Sequence, residues 1–142
     1  MLEIDRGFLD EMVEHGLAGF PNEACGLLAG KEGRPVKFFP IRNADASTSS
    51  YRFDATEQNR ASNEIDDEGW EVLAIFHTHT HSEAFPSKTD REKAFWPGET
   101  KLLIFPTAYY LVMSLSDRAK PVLRAFRIDE DGDVTEEPVV IG

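Results

Sequence analysis

The chain has 142 residues, a formal net charge of -11 and a single cysteine, Cys25. This length fits one domain over residues 1–142, and the acidic charge argues against binding to nucleic acid or to an anionic membrane, because both need a basic face. A lone cysteine cannot form an internal disulfide, and the sequence contains neither a membrane-spanning apolar stretch nor an apolar signal region. We therefore expect a soluble, cytoplasmic protein, and its oligomeric state stays open.

The first half of the chain predicts helices on either side of a strand hairpin. Asp5 is placed to cap a first helix whose apolar side chains recur at i, i+4 spacing. Asp54 and Glu57 form a capping-box pattern that opens a second, mostly polar helix. In order, we predict a helix over 5–16, strands over 25–30 and 36–41, a polar loop over 43–50, and a helix over 55–68.

The second half consists mainly of apolar runs of β character, separated by turn residues. In order, we predict a strand over 72–76, a helix over 88–96, extended apolar runs over 102–105 and 109–115, and strands over 122–128 and 134–141 joined by a turn at 129–132. Strands interleaved with three helices indicate a mixed α/β (α+β) sheet with helices packed on it.

The segment from Phe76 to Asp90 carries three of the four histidines, at 77, 79 and 81. Residues two apart on a strand point to the same face, so His77 and His79 should lie side by side at a strand end. Two imidazoles and one carboxylate, here Asp90, form the ligand set of a hydrolytic zinc site that keeps an open position for water. This segment is therefore a candidate metal site.

Each motif also has an ordinary structural interpretation. An isolated His-x-His pair is commonly a pair of surface residues, and Glu23 can be a turn carboxylate that pairs with a nearby cation. Ser87-x-x-Asp90 matches the capping box of a helix. We expect the two roles of Asp90 to compete, because its carboxylate would have to close the box and bind a metal in the same geometry.

The four motifs together resemble the signature of the JAMM (MPN+) metallopeptidase family. The chain has Glu23 ahead of Cys25-Gly26-Leu27-Leu28-Ala29-Gly30, then His77-Thr78-His79, then Ser87-Lys88-Thr89-Asp90, at the family's spacing. The element order matches over nearly the whole chain. The resemblance implies a single-domain JAMM/MPN fold, similar to cytidine deaminases, with a curved mixed sheet flanked by about three helices.

The resemblance also implies a role for each residue. His77, His79 and Asp90 would bind one Zn²⁺ per chain, and Glu23 would act as general base. Ser87 would hydrogen-bond the oxygen of the tetrahedral intermediate. The implied reaction is hydrolysis of the amide bond after the C-terminal Gly-Gly of a ubiquitin-like or sulfur-carrier protein, as in the compact prokaryotic members. Some of these members release cysteine from a carrier–cysteine adduct or remove the carrier from lysines.

Two positions depart from the family pattern. The family usually has proline directly after the second histidine, where this chain has Thr80. Because proline restricts the backbone, we expect its absence to affect the rigidity of the loop more than the identity of the metal ligands. His81 is an additional imidazole that the pattern does not require, and we expect a solvated loop residue there.

The sequence also suggests three alternatives to the peptidase. A non-catalytic MPN scaffold that binds partner proteins is the main one, although such scaffolds lack part of the ligand set that is complete here. The run His-Thr-His-Thr-His-Ser also resembles PHP-type phosphoesterases, which need further histidines downstream. A zinc-dependent nucleoside deaminase needs two cysteines and is excluded.

Overall fold

The computed structural model describes residues 1–99 and 101–142, and within them the chain forms three helices and eight strands. The helices are α1 (Arg6–Gly19), α2 (Ala55–Asp67) and α3 (Lys88–Lys93). The strands are β1 (Leu2–Ile4), β2 (Cys25–Lys31), β3 (Arg34–Ile41), β4 (Glu71–His79), β5 (Tyr109–Ser114), β6 (Val122–Ile128), β7 (Val134–Glu137) and β8 (Val139–Ile141). In these two ranges, no helix has the length and apolar character needed to cross a membrane.

Six of the strands form one sheet in the order β3-β2-β4-β5-β6-β7. The β4–β5 pair is parallel and the other neighbouring pairs are antiparallel, so the sheet is mixed, as predicted. The remaining strands, β1 and β8, pair in parallel and bring the two ends of the chain together. The predicted mixed α/β class with three helices is confirmed.

Apolar side chains cover both faces of the six-stranded sheet, which explains why its central strands are nearly continuous runs of buried residues. On one face, Met12 of α1 and the β1–β8 pair pack against Leu28 and Phe76. On the other face, Ala61 and Ile65 of α2 and Ala94, just after α3, pack against Leu27 and Ile75. Side chains of β4 alternate between these two layers.

The structure differs from several of the predicted elements. β4 continues to His79 instead of ending at Phe76, because its polar end is still paired with β5. α3 ends at Lys93, three residues before Trp96, because the next segment pairs with the run 102–105: the Trp96 N–H donates to the Leu102 carbonyl, and the Ile104 N–H to the Ala94 carbonyl. That run therefore contributes an isolated bridge and no strand.

The C-terminal run 134–141 is two strands in different sheets, divided at Pro138. The carbonyl of Pro138 accepts a hydrogen bond from the Leu2 N–H, which starts the β1–β8 pairing. β1 itself was not predicted, because three residues before a helix are too few to show a strand pattern.

Candidate metal centre

His77 and His79 are among the last three residues of β4, and their side chains are buried, with exposures of 2% and 5%. The alternation of β4 places them on the Ile75 side of the sheet, towards α2 and α3, and places Thr78 against Gly16 of α1. The predicted side-by-side arrangement of the two imidazoles is therefore present, inside a strand and not after it.

Three donor atoms converge at this strand end. The Nε2 atoms of His77 and His79 are 3.1 Å apart, and they lie 3.0 and 2.9 Å from the same oxygen, Oδ2 of Asp90. Lone pairs on two imidazole nitrogens and a carboxylate repel one another at this spacing unless a proton or a cation lies between them. Ligand atoms around tetrahedral zinc, with bonds of about 2.0–2.1 Å, are about 3.3 Å apart. The donor set and its spacing therefore fit a zinc ion.

Asp90 reaches the histidines from the first turn of α3. Ser87 is the N-cap, its Oγ accepts a hydrogen bond from the Asp90 N–H at 3.1 Å, and Asp90 Oδ2 accepts one from the Ser87 N–H at 2.9 Å. The expected competition between the two roles of Asp90 was wrong: the oxygen that closes the capping box is also the one that faces both imidazoles. The box thus orients the carboxylate towards the histidines.

The charge of this carboxylate is well stabilised. Burial alone would raise the pKa of Asp90, but the imidazoles of His77 and His79 and the Ser87 N–H hold that pKa well below its usual range. Burial lowers the pKa of His77, which keeps its imidazole neutral. Burial also lowers the pKa of His79, but its hydrogen bonds to Asp90 and to the Glu83 carbonyl outweigh burial and raise that pKa overall. Asp90 is therefore an anion beside the neutral imidazole of His77, and binding of a metal would require His79 to give up a proton.

Neighbouring groups orient the two imidazoles. Nδ1 of His79 lies 2.8 Å from the Glu83 carbonyl oxygen, which can only accept, so Nδ1 carries a hydrogen and Nε2 faces the cluster. The ring of Tyr51 stacks on His77 with centroids 4.5 Å apart. Tyr51 was not singled out in the sequence, since nothing local links it to a residue 26 positions away.

Glu23 is brought to the same edge by the register of β2 and β4. Cys25 pairs with His77, and Ala24 exchanges hydrogen bonds with Thr78 through its backbone N–H and carbonyl. Continuing this antiparallel pairing by one residue places Glu23 opposite His79 and on the same face of the sheet. A carboxylate 54 residues before His77 therefore lies beside the imidazole pair.

Glu23 is a buried carboxyl without a hydrogen-bonding partner at one of its oxygens. Its side chain is 6% exposed, and no described residue bonds its Oε1. Burial raises its pKa to about 7; the nearby charges of His79 and Lys93 lower it, and that of Asp90 raises it. A carboxyl with a pKa near neutrality can take and release a proton at physiological pH.

Asn43 holds the backbone of Glu23 in place. Its side-chain NH₂ donates to the carbonyls of Glu23 and Ser50 at 3.0 and 2.9 Å, and its Oδ1 accepts from the backbone N–H groups of Asp45 and Arg52. This one amide thus fastens the polar loop 43–50 to the segment that carries Glu23. We did not predict this role, although an asparagine at the end of a strand is a known signal of such a loop.

The remaining loop positions lie around the cluster. Thr80 is buried, and its Oγ1 donates to the Thr48 carbonyl at 3.2 Å, so a hydrogen bond holds the loop where the family usually has proline. His81 is exposed, packs near Phe20 and does not belong to the group formed by His77, His79 and Asp90. Ser87 is exposed, and its hydroxyl proton has no acceptor among the described residues.

Comparisons with known proteins agree with this architecture. The family model described as prokaryotic homologs of the JAB domain matches residues 5–129. A CysO-cysteine peptidase of Mycobacterium tuberculosis is 40% identical over 141 residues, which cover 98% of this chain and 90% of that protein.

Two solved structures resemble the model. The solution structure of a Desulfitobacterium hafniense protein is 33% identical with a TM-score of 0.82, and the match covers 100% of this chain and 93% of that one. A JAB1/MPN domain protein of Archaeoglobus fulgidus has a TM-score of 0.56 at 16% identity over 100% of this chain and 97% of that one, which shows a shared fold. The predicted JAMM/MPN fold is thereby confirmed. The chain belongs to the prokaryotic homologs of the JAB domain, within the compact prokaryotic JAMM/MPN family.

Proposed function

We propose that this protein is a zinc-dependent metallopeptidase that hydrolyses the amide bond after the C-terminal Gly-Gly of a ubiquitin-like or sulfur-carrier protein. The observation that carries the proposal is the convergence of Nε2 of His77, Nε2 of His79 and Oδ2 of Asp90 within 3.1 Å of one another, at the strand end where register places the buried carboxyl of Glu23.

His77, His79 and Asp90 would hold the zinc ion. When bound, zinc supplies a Lewis acid that polarises the scissile carbonyl and makes water acidic near neutral pH. Glu23 accepts a proton from the attacking water through its carboxylate and passes it to the departing amine. Its pKa of about 7 suits both transfers, since the group is neither a very weak base nor a very weak acid at that pH.

Ser87 supplies a hydrogen bond to the reacting carbonyl. Its oxygen is engaged as acceptor by the Asp90 N–H, which leaves the hydroxyl hydrogen to point elsewhere. Donation to the substrate oxygen as negative charge develops there would stabilise the transition state, a contribution of about 3–4 kcal/mol for such donors. The capping box therefore serves two purposes: it orients the Asp90 carboxylate, and it fixes the position of the exposed Ser87 hydroxyl.

The relative and the site together support the substrate class. The M. tuberculosis protein, 40% identical over 98% of this chain, is named for the cleavage of a CysO–cysteine conjugate. The buried site at the end of a central strand favours a slim, extended backbone next to the bond that is cut, which a Gly-Gly tail provides. These two arguments are independent of each other.

The proposal is tested with a Gly-Gly-ending carrier joined to cysteine, incubated with zinc-loaded protein and followed by mass spectrometry. We expect release of the carrier with a free terminal glycine. Glu23→Gln should keep zinc but lose at least about a hundredfold in turnover, the scale of a positioned general base. Glu11→Gln, a matched change at an exposed position of α1, should retain activity. A protein that binds the carrier without cleaving any adduct would be a scaffold and would refute the proposal.

A further inference from the structure

Lys93 is a cation beside the metal centre that has no acidic partner. It lies one helical turn after Asp90 in α3, and its side chain is exposed. Its Nζ donates to the backbone carbonyl of Tyr51 and lies 5.1 Å from the centroid of the Tyr51 ring. No ion pair among residues 1–99 and 101–142 includes it. An ammonium has three N–H donors, and this contact occupies one of them.

Several cations of this acidic protein pair with a carboxylate, and Lys93 is among those that do not in the described part of the chain. The net charge is -11, and Lys37, Lys88 and Lys101 each lie within 4.0 Å of a carboxylate. Lys93 instead has a neutral carbonyl as its partner, so its charge is not cancelled locally. A positive charge kept in this way next to a reaction site suits the binding of an anion.

Tyr51 connects Lys93 to the catalytic cluster. The ammonium group of Lys93 faces the ring of Tyr51, and that ring stacks directly on the imidazole of His77. The electrostatics agree with this proximity, since the charge of Lys93 lowers the pKa of both Glu23 and His77. The charge of Lys93 therefore acts on two residues of the cluster, Glu23 and His77.

Resting on the proposed function, we propose that Lys93 is a specificity residue that binds the α-carboxylate of the leaving amino acid. The preferred substrate is then a carrier whose terminal glycine is joined to the α-amine of a free amino acid. Hydrolysis adds the hydroxyl of water to the glycine carbonyl, breaks the carbon–nitrogen bond and gives the remaining proton to the amine. The products are the carrier carboxylate and an amino acid.

The chemistry of the leaving group explains the discrimination. In a free amino acid the carboxylate is one carbon away from the departing nitrogen, so it stays close to the site throughout the reaction. The side-chain amine of a lysine within a protein has no carboxylate near it. The positive charge of Lys93 offsets the repulsion that an anionic leaving group meets from the carboxylates of Glu23 and Asp90.

The test compares two adducts of one Gly-Gly carrier, one with cysteine and one with cysteinamide, which differ only in the charged carboxylate. Zinc-loaded wild-type protein is assayed beside Lys93→Met, Lys93→Gln and, as a matched control on the same helix, Lys88→Met. Zinc content is measured for each variant. The intrinsic difference in leaving-group reactivity enters the ratio of kcat/KM for the two adducts equally in every variant, so it cancels when these ratios are compared between variants.

We expect wild-type protein and Lys88→Met to prefer the cysteine adduct. In Lys93→Met that preference should fall by about tenfold or more, the scale of a lost charge-assisted hydrogen bond. A change in the pKa of Glu23 would alter the rates on both adducts alike and would leave their ratio unaffected. Lys93→Gln can still donate to the Tyr51 carbonyl without carrying charge, so it should lose the preference too, even if Lys93→Met does not fold.

An unchanged ratio in the two Lys93 variants would overturn the inference and leave the proposed function standing. A wild-type protein that cleaves a lysine isopeptide of the same carrier faster than the cysteine adduct would overturn it as well. If neither adduct nor isopeptide is cleaved, the proposed function itself fails, which is a distinguishable result.

Discussion

Replacing the carboxyl of Glu23 should remove a loss of stability that the metal-free protein suffers as the pH rises. Glu23 is 6% exposed and its pKa is about 7, against 4.5 for an exposed glutamate. Since the folded pKa lies above the unfolded one, the folded state binds the proton more tightly. The stability that Glu23 contributes is full below pH 4.5 and is lost as the pH rises through 7.

The magnitude follows from these two pKa values. A change of one in pKa corresponds to about 1.4 kcal/mol, so the fully ionised Glu23 costs the fold about 3 kcal/mol. Between pH 5 and pH 8 the change in the free energy of unfolding is about 2.5 kcal/mol, because at pH 5 the unfolded carboxyl is already mostly ionised. Glu23→Gln removes this pH dependence. It can also leave a buried amide unsatisfied, which costs about 1–3 kcal/mol at every pH.

The assay is urea unfolding of chelator-treated wild-type protein, Glu23→Gln and Glu11→Gln at pH 5, 6, 7 and 8. Wild-type protein and the exposed Glu11→Gln control should lose stability together towards pH 8. Between pH 5 and pH 8 the free energy of unfolding of Glu23→Gln should fall by about 2.5 kcal/mol less than that of the wild-type protein. Because only the difference between pH values is used, the constant cost of a buried amide drops out.

Parallel curves for wild-type protein and Glu23→Gln would refute the reasoning. They would mean that the Glu23 carboxyl is solvated in the folded state, and that its pKa is not raised by burial. The raised pKa would then no longer support Glu23 as a base poised near neutral pH.

Three further outcomes are expected. His77→Ala and Asp90→Ala should each lose most of the zinc measured by elemental analysis, whereas His81→Ala keeps it; full occupancy in His77→Ala/His79→Ala would contradict the proposed ligand set. Asn43→Asp removes both donors to the Glu23 and Ser50 carbonyls, so it should lower stability by about 2–3 kcal/mol and reduce turnover, unlike Asn59→Asp on the exposed face of α2. Replacing the terminal or penultimate glycine of the carrier by valine should slow cleavage about tenfold or more, and equal rates in a side-by-side time course would mean that the site does not select a glycine tail.

Local sequence patterns were enough to predict most of the elements and part of the site. The period-2 alternation of a strand requires His77 and His79 to share a face, whichever strands lie beside them. Ser87-x-x-Asp90 closes a capping box because a helix start needs an acceptor at just that spacing. Both features depend on contacts between residues a few positions apart, so they can be predicted from the sequence without the tertiary structure.

Position across the sheet could only be learned from the tertiary structure. Glu23 reaches the histidines because β2 and β4 pair with Cys25 opposite His77, and that register is selected by packing both faces of the sheet. The tertiary structure also shows that one oxygen, Asp90 Oδ2, both closes the capping box and faces the two imidazoles. The spacing of Ser87 and Asp90 in the sequence cannot show whether these two contacts use one oxygen.

Contacts between distant segments also determine which residues support the site and where the helices and strands end. Asn43, Tyr51 and Lys93 are connected to the site by contacts of 20 or more residues in sequence separation, so no local pattern links them to it. α3 stops at Lys93 because its following backbone pairs with the run 102–105, and β1 exists because the far end of the chain pairs with it. Periodicity and capping are local and determine which elements form, whereas hydrogen bonding between distant segments determines where each element ends and which side chains meet.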